Sequence, residues 1–208
     1  MRERIQKFTI RRLKKDVLKE LPPKLRQKLV LPASKFKKAI GEERTAVKTE
    51  VNVTKSRIEV ARLKLPFVIE HVRNILEQEN KVILFFYHHE IGDLLAEEFK
   101  DLNPALVHGN IPIAERKKNL ERFQQDSSCR MLLGSIATAI GYDATAARVV
   151  VFCELDYVPG KLHQAEDRPH RIGQEDSVLI QYLVLEDSVD DDVVSALIEK
   201  TEVIDQVL

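Results

Sequence analysis

Arg168 and Arg171 stand three residues apart in the stretch Gln164-Ala165-Glu166-Asp167-Arg168-Pro169-His170-Arg171-Ile172-Gly173-Gln174. Two guanidinium forks at that spacing can turn toward one polyanion, and their planar geometry suits phosphate oxygens. Alone the cluster is a weak signal, because Arg and His gather on many solvated helices. A helix-interior proline costs roughly 3 kcal/mol, so a helix entering this stretch is expected to end at Arg168 and leave Arg171 in a turn. His163, Glu166, Asp167 and His170 mimic a metal site on one helix side but match no established ligand spacing, and no metal is assigned.

A second stretch precedes it: Gly134-Ser135-Ile136-Ala137-Thr138-Ala139-Ile140-Gly141-Tyr142-Asp143, directly after an apolar run. Small residues let a backbone approach a ligand closely, and the Ser135 and Thr138 hydroxyls can meet phosphate. The bland alternative is a turn that packs helix on sheet.

The elements that must hold these stretches are legible as alternating apolar patterns. Val82–Phe86, Ala105–Val107, Arg130–Leu133, Val149–Phe152 and Val178–Val184 read as buried strands. Between them fall helices at 66–79 with Pro66 in the first turn, at about 90–100, after Pro112 as first helical residue, and from about Lys161. Ile113, Leu120 and Phe123 mark the inner face of the helix after Pro112, and a last helix starts near Asp190 with Ser188 as N-cap and Asp191 in the capping-box position. The alternation predicts an α/β fold, a doubly wound and mostly parallel sheet over 66–208. Such sheets place function in the loops leaving the carboxyl ends of strands, here 87–89, 108–110, 134–143 and 153–160.

Residues 1–65 are of a different character. Residues 1–40 hold fourteen Lys and Arg against three Asp and Glu, although the whole chain balances at 33 and 33. This basic helical extension predicts a helix over 2–20 that stops at Leu21-Pro22-Pro23, an extended segment Leu25–Leu31, and exposed helices or a partly mobile insertion over 34–61 broken at Gly41. A basic arm on an acidic body suggests a polyanion or an acidic partner surface, with a solvated basic helix as the plain alternative. No apolar run approaches the ~20 residues of a membrane span. No secretion signal opens the chain, and Cys129 and Cys153 sit in apolar runs, which points by default to an intracellular location.

Several chemistries are excluded by motif. No Gly-x-x-x-x-Gly-Lys-Ser/Thr cradle, no Gly-x-Gly-x-x-Gly after a strand, no Gly-x-Ser-x-Gly elbow and no cysteine pairs at zinc spacing occur.

Taken in order, the blocks resemble the second RecA-like lobe of a superfamily 2 helicase motor, and within it the Swi/Snf family of DNA translocases. The segment 164–174 matches that family's closing motif at almost every position. Arg11-Arg12-Leu13-Lys14-Lys15-Asp16-Val17 and Leu21-Pro22-Pro23-Lys24 are similar to its inter-lobe block. Lys81–His89, His108-Gly109 with Glu115-Arg116 and Phe123, and Ser135–Gly141 follow in the family's order. The compact form and the tail 188–208 look most like the annealing-helicase branch.

The resemblance implies a DNA-dependent ATPase whose ATP and Mg2+ are bound mainly by a first lobe of the same polypeptide. Arg168 and Arg171 would be arginine fingers, while Gln164, Gly141 and Asp143 would line the nucleotide side of the cleft. His108, Gly109, Ser135 and Thr138 would touch the backbone of duplex or fork-like DNA without reading sequence. Work in a nucleus, or in the cytoplasm and nucleoid of a prokaryote, would follow. Where the family usually has Trp-Asn-Pro this chain has Tyr157-Val158-Pro159, and Asp143 resembles RNA-helicase relatives. A non-catalytic nucleic-acid or protein-binding module on the same fold, or an RNA helicase lobe, are the alternatives.

Overall fold

The computed structural model describes residues 20–139 and 141–207. Its strands are β1 (Lys24–Leu31), β2 (Val82–Phe86), β3 (Ala105–Val107), β4 (Met131–Ser135), β5 (Val149–Phe152) and β6 (Val178–Leu185). Its α-helices are α1 (Lys37–Thr49), α2 (Val53–Gln78), α3 (His89–Glu98), α4 (Ile113–Gln125), α5 (Pro159–Glu166) and α6 (Val189–Val207). The strands form one sheet in the order β1-β6-β5-β2-β4-β3, parallel at every pairing.

The central strands β2, β4 and β5 are buried at every position, as continuous apolar runs require when both faces are covered. Val82, Leu84 and Phe86 point with Met131 and Leu133 into a core under α2 and α3. Ile83, Phe85, Leu132, Val150 and Phe152 face the opposite core, which takes Phe123 of α4, Leu162 of α5 and Val194 of α6. The sheet is therefore doubly wound. Gly92 lets α3 lie directly on β2, since a Cβ there would stand 2.4 Å from the Phe86 ring.

The N-terminal third differs from its sequence reading. The helix expected over 2–20 and the Arg11–Val17 block lie, but for Glu20, outside the described residues. The extended segment after Pro23 is β1, the edge strand, paired in parallel with β6 from Lys24↔Val178 to Leu31↔Leu185. Gly41 lies inside α1, and the chain turns instead at Glu50 and Asn52, both with φ 57°. Pro66 is not in a first turn but inside α2, and residue 65/66 falls within that one helix. The helix continues through the proline because its earlier turns are pinned: Arg57 Nη2 donates to Leu155 O at 2.5 Å, and Lys64 Nζ reaches Leu183 O at 3.1 Å and Asp190 Oδ2 at 3.0 Å. These tertiary anchors and the buried Val68 and Val72 beyond offset the roughly 3 kcal/mol that an interior proline costs.

Smaller corrections follow the same logic. Pro112 is the N-cap of α4 rather than its first helical residue, and Ile113 is 77% exposed, so Phe123 and Leu120 alone turn inward. The α5 helix ends at Glu166, two residues before Arg168. Ser188 does cap α6, its Oγ accepting the Asp191 N–H at 3.3 Å, while the Asp191 carboxylate accepts the Asp187 N–H at 3.1 Å.

Candidate functional site

At the carboxyl edge of the sheet, the loop after β4 and the turn after α5 are stitched into one unit. Arg168 donates through Nε to Gln164 O at 2.9 Å and through Nη1 to Tyr142 O at 3.0 Å. Its own carbonyl accepts the Ala144 N–H at 3.0 Å. Gln174 Nε2 lies within bonding distance of Thr145 O (3.2 Å), Ala147 O (3.1 Å) and Pro169 O (3.3 Å). The loop 141–147 and the turn 167–174 are thus joined by hydrogen bonds from Arg168, Ala144 and Gln174.

Within that unit the two arginines are treated differently. Arg168 is 6% exposed, and burial followed by the charge of Arg171 pulls its pKa down from the usual guanidinium value. Arg171 lies in the turn beyond Pro169, half-exposed, and its Nη1 pairs with the exposed Asp143 carboxylate. The turn is closed by the Gln174 N–H on Arg171 O at 3.0 Å and by Gly173 at φ 96°, in the left-handed region where glycine carries no Cβ penalty. Gln164 lies exposed one turn back on α5.

Asp143 and Gly141 line a cleft of about 710 Å³ between this loop and α4, together with Thr138, Tyr142, Arg116 and Lys117. Gly141 sits at φ 81°, and nothing stands within 4 Å of where a Cβ would be. Arg116 Nε is buried without a hydrogen-bond partner among the described residues. An open glycine backbone, an orphaned guanidinium nitrogen and a second guanidinium at the rim fit an anionic ligand such as a nucleotide phosphate. Among the described residues, no group of three or more His, Cys, Asp or Glu is placed to hold a metal ion.

Of the residues that the resemblance assigns to DNA, Thr138 lines this same cleft, while His108, Gly109 and Ser135 lie beyond its lining. His108 is buried at the end of β3, its Nδ1 accepting the Asn110 N–H at 3.3 Å, with the His89 ring 4.9 Å away. Burial first, and then His89, hold its pKa below the ordinary histidine value. Gly109 is exposed beside it. Ser135 is 1% exposed, with no partner for its Oγ among the described residues, and the Thr138 hydroxyl donates to Ser135 O at 3.0 Å or Val107 O at 3.2 Å. His108 and Gly109 therefore form a cluster with His89 and Asn110, apart from the ion pair of Arg171 with Asp143.

The loop that departs from Trp-Asn-Pro is nonetheless well fixed. Asp156 Oδ1 accepts the Val158 N–H at 2.8 Å, and its Oδ2 pairs with Lys161 at 2.8 Å. Arg57 lies over both tyrosine rings, 4.7 Å from the Tyr87 centroid and 4.0 Å from that of Tyr157. At the divergence of β2 and β5, where open sheets bind ligands, the chain has supplied its own anion. Glu154 accepts the Tyr87 and His88 N–H groups, each at 2.9 Å, and lies 2.6 Å from His88 Nδ1. Burial pushes this carboxyl up, but the His88 bond and charge and the two amides bring it below the usual range.

Sequence reasoning overlooked Arg116 as a cleft residue and Gln174, Arg57 and Glu154 as the ties that shape the loops. Arg116 was marked only as part of the block Glu115-Arg116 that resembles the family, with no role in a cleft attached to it. Gln174 closes the motif 164–174 but its ties reach Thr145 and Ala147, while Arg57 and Glu154 find partners distant in sequence and no local pattern marks them.

Comparison with known proteins gives the arrangement its family. The profile of the helicase conserved C-terminal domain matches residues 67–173. A SWI/SNF-related matrix-associated actin-dependent regulator of chromatin subfamily A-like protein 1 from Xenopus tropicalis is 35% identical across 97% of this chain and 23% of its own length. The DNA annealing helicase and endonuclease ZRANB3 of Mus musculus is 34% identical across 87% of this chain and 19% of its own. The chain thus spans about a quarter or less of these two relatives. The crystal structure of the C-terminal part of the Fun30 ATPase domain shares the fold at a TM-score of 0.56, with 23% identity over 64% of this chain and 44% of that one. With its matched segment running from the middle of α2 through the arginine turn, the chain belongs to the helicase conserved C-terminal domain family, in its SWI/SNF-related, RecA-like form.

Proposed function

We propose that this chain is the second motor lobe of a DNA-dependent ATPase or translocase, closing on a nucleotide held mainly by a first lobe of the same polypeptide. The observation that carries the reading is Arg171, presented at the rim of the Gly141–Asp143 cleft by a turn stitched to that cleft's own loop. ATP, with Mg2+ held by the first lobe, supplies the phosphoryl group whose transfer drives the motor. Arg171 exchanges its Asp143 partner for the developing negative charge when the lobes close, a role worth ~10³–10⁵ in rate where such fingers are known. Arg168 holds the loop and the turn in register, and Gln164 and the Gly141 backbone flank the cleft.

Contacts to DNA are sequence-independent and fall on the backbone, as a translocase needs. They come from the exposed turn at Gly109 and the exposed Ala137, with His108, Ser135 and Thr138 shaping those turns from beneath. The printed name of the ZRANB3 relative, a DNA annealing helicase, supports DNA as the partner; duplex or fork-like DNA and work in a nucleus or nucleoid complete the reading. A second reading, a non-catalytic nucleic-acid-binding module, draws on Arg168 spending its Nε and Nη1 on carbonyls within the chain.

The test is DNA-stimulated ATP turnover by the purified chain, alone and with the first lobe. The motor reading expects none alone and restored turnover together. Sustained turnover by the chain alone contradicts it, and salt-sensitive DNA binding without turnover in either case selects the module.

A further inference from the structure

The edge strand β1 is held in an unusual way. Its alternate residues Lys24, Arg26 and Lys28 turn inward and each meets an acid, while Leu25 on the other face is 54% exposed. Arg26 grips the Glu166 carboxylate with both arms of its fork, Nε to Oε1 at 3.0 Å and Nη2 to Oε2 at 2.7 Å. Lys24 Nζ lies 2.9 Å from the same carboxylate and 3.0 Å from Asp167 Oδ1. Tyr182 of β6 donates its hydroxyl to Glu166 from beneath, and His163 approaches it at 3.5 Å. Glu166 itself is completely buried and is the last residue of α5, two residues before Arg168.

A second tie runs between the same two segments. His170 Nε2 lies 2.7 Å from the carbonyl oxygen of Pro22, and the Pro23 carbonyl accepts the Val178 N–H at 3.0 Å. Residues 22–26 therefore hold the arginine turn at two points, at Glu166-Asp167 before Arg168 and at His170 before Arg171. An edge strand has one neighbour and no second ladder, so charge pairing carries more of its docking than in a central strand. Removing one partner from a buried pair leaves an uncompensated charge.

We infer that β1 is a latch on the turn that carries Arg171, closed by Arg26 and Lys24 on Glu166 and by Pro22 on His170. Displacement of residues 22–26, by whatever precedes them in the chain or by a polyanion competing for Lys24 and Arg26, loosens the turn and lets Arg171 leave its position. Glu166 and Arg26 are positioning residues in this scheme. The effect of the latch on turnover rests on the motor reading above, whereas its mechanical content does not.

Amide hydrogen exchange on this chain tests it, comparing wild type with Arg26→Gln and with the exposed-pair control Arg44→Gln. Arg26→Gln is expected to speed exchange at 168–174 about tenfold or more while amides of β2 and β4 keep their rates. Faster exchange confined to β1 and β6, with 168–174 unchanged, overturns the latch and leaves β1 a docked strand. Should Arg26→Gln unfold the chain, Lys24→Gln keeps the bidentate pair and must still speed 168–174, to a smaller extent. In the two-lobe protein Lys24→Gln is expected to lower kcat at saturating ATP with DNA affinity unchanged. If the exchange coupling holds but Arg171→Ala leaves turnover intact, the latch stands and the motor reading falls.

Discussion

Arg168 and Arg171 belong to one turn and one motif, yet the fold uses them in opposite ways. Arg168 is enclosed, its guanidinium spent on two carbonyls that join α5 to the loop after β4. Arg171 stands half in solvent with one carboxylate partner. The difference arises at Pro169, which stops the chain from continuing as helix and swings the second arginine outward. Two arginines at helical spacing would have shared a face; separated by this turn, one ties two loops together and the other stands half-exposed against Asp143.

Substitutions can break that contrast, and the largest effect belongs to the presented arginine. Arg171→Ala is expected to lower DNA-stimulated turnover of the two-lobe protein by ~10³-fold or more. Its midpoint of thermal unfolding should stay at the wild-type value. Arg168→Ala, by contrast, is expected to destabilise the chain by roughly 2–4 kcal/mol in chemical denaturation, since two carbonyls lose their buried donor. Asp143→Asn sharpens the comparison from the other side. The pair is exposed, so stability should change by less than about 1 kcal/mol, while the KM for ATP falls as Arg171 is released.

The smallest effect is one of pH, and it sets two buried carboxylates apart. Burial, reinforced by Asp190 and opposed by the Val189 N–H, raises the Glu43 pKa to about 7. A carboxyl raised in the folded state binds protons there that the unfolded chain has lost. Its contribution is therefore full below the ordinary value near 4.5 and declines as pH rises toward 7. Glu166 is the reverse. Burial raises it, but hydrogen bonds from His163 and Arg26 and the charges of Lys24 and Arg26 hold it well below the usual range. Its contribution is present above the ordinary carboxylate value and lost only in stronger acid. Glu43→Gln should flatten the stability profile between about pH 4.5 and 7. An unchanged slope removes Glu43 as its cause.

How far the sequence reveals this molecule depends on how local each cause is. The central strands were legible because burial on both faces demands unbroken apolar runs such as Val82–Phe86 and Val149–Phe152. The membership of β1 in the sheet was not, since Lys24, Arg26 and Lys28 occupy its inward positions and their acids lie about 140 to 163 residues away. Pro66 misled for a related reason: the residues that carry α2 past it, Arg57 and Lys64, find their partners near Leu155 and Asp190. Gly141, Asp143, Gln164, Arg168 and Arg171 were named through the family resemblance, and the fold sets Gly141 and Asp143 in one cleft with Arg171 paired to Asp143. The division of labour between the two arginines was hidden, because it depends on which carbonyls the folded loop offers.

One titration bears most directly on the central claim. The first lobe is held at fixed concentration with saturating ATP and DNA, and this chain, wild type or Arg171→Ala, is added in increasing amounts. Turnover is expected to rise saturably with the wild-type chain and to stay at baseline with Arg171→Ala, although both chains bind the first lobe equally. Equal restoration of turnover by the two chains would contradict the account.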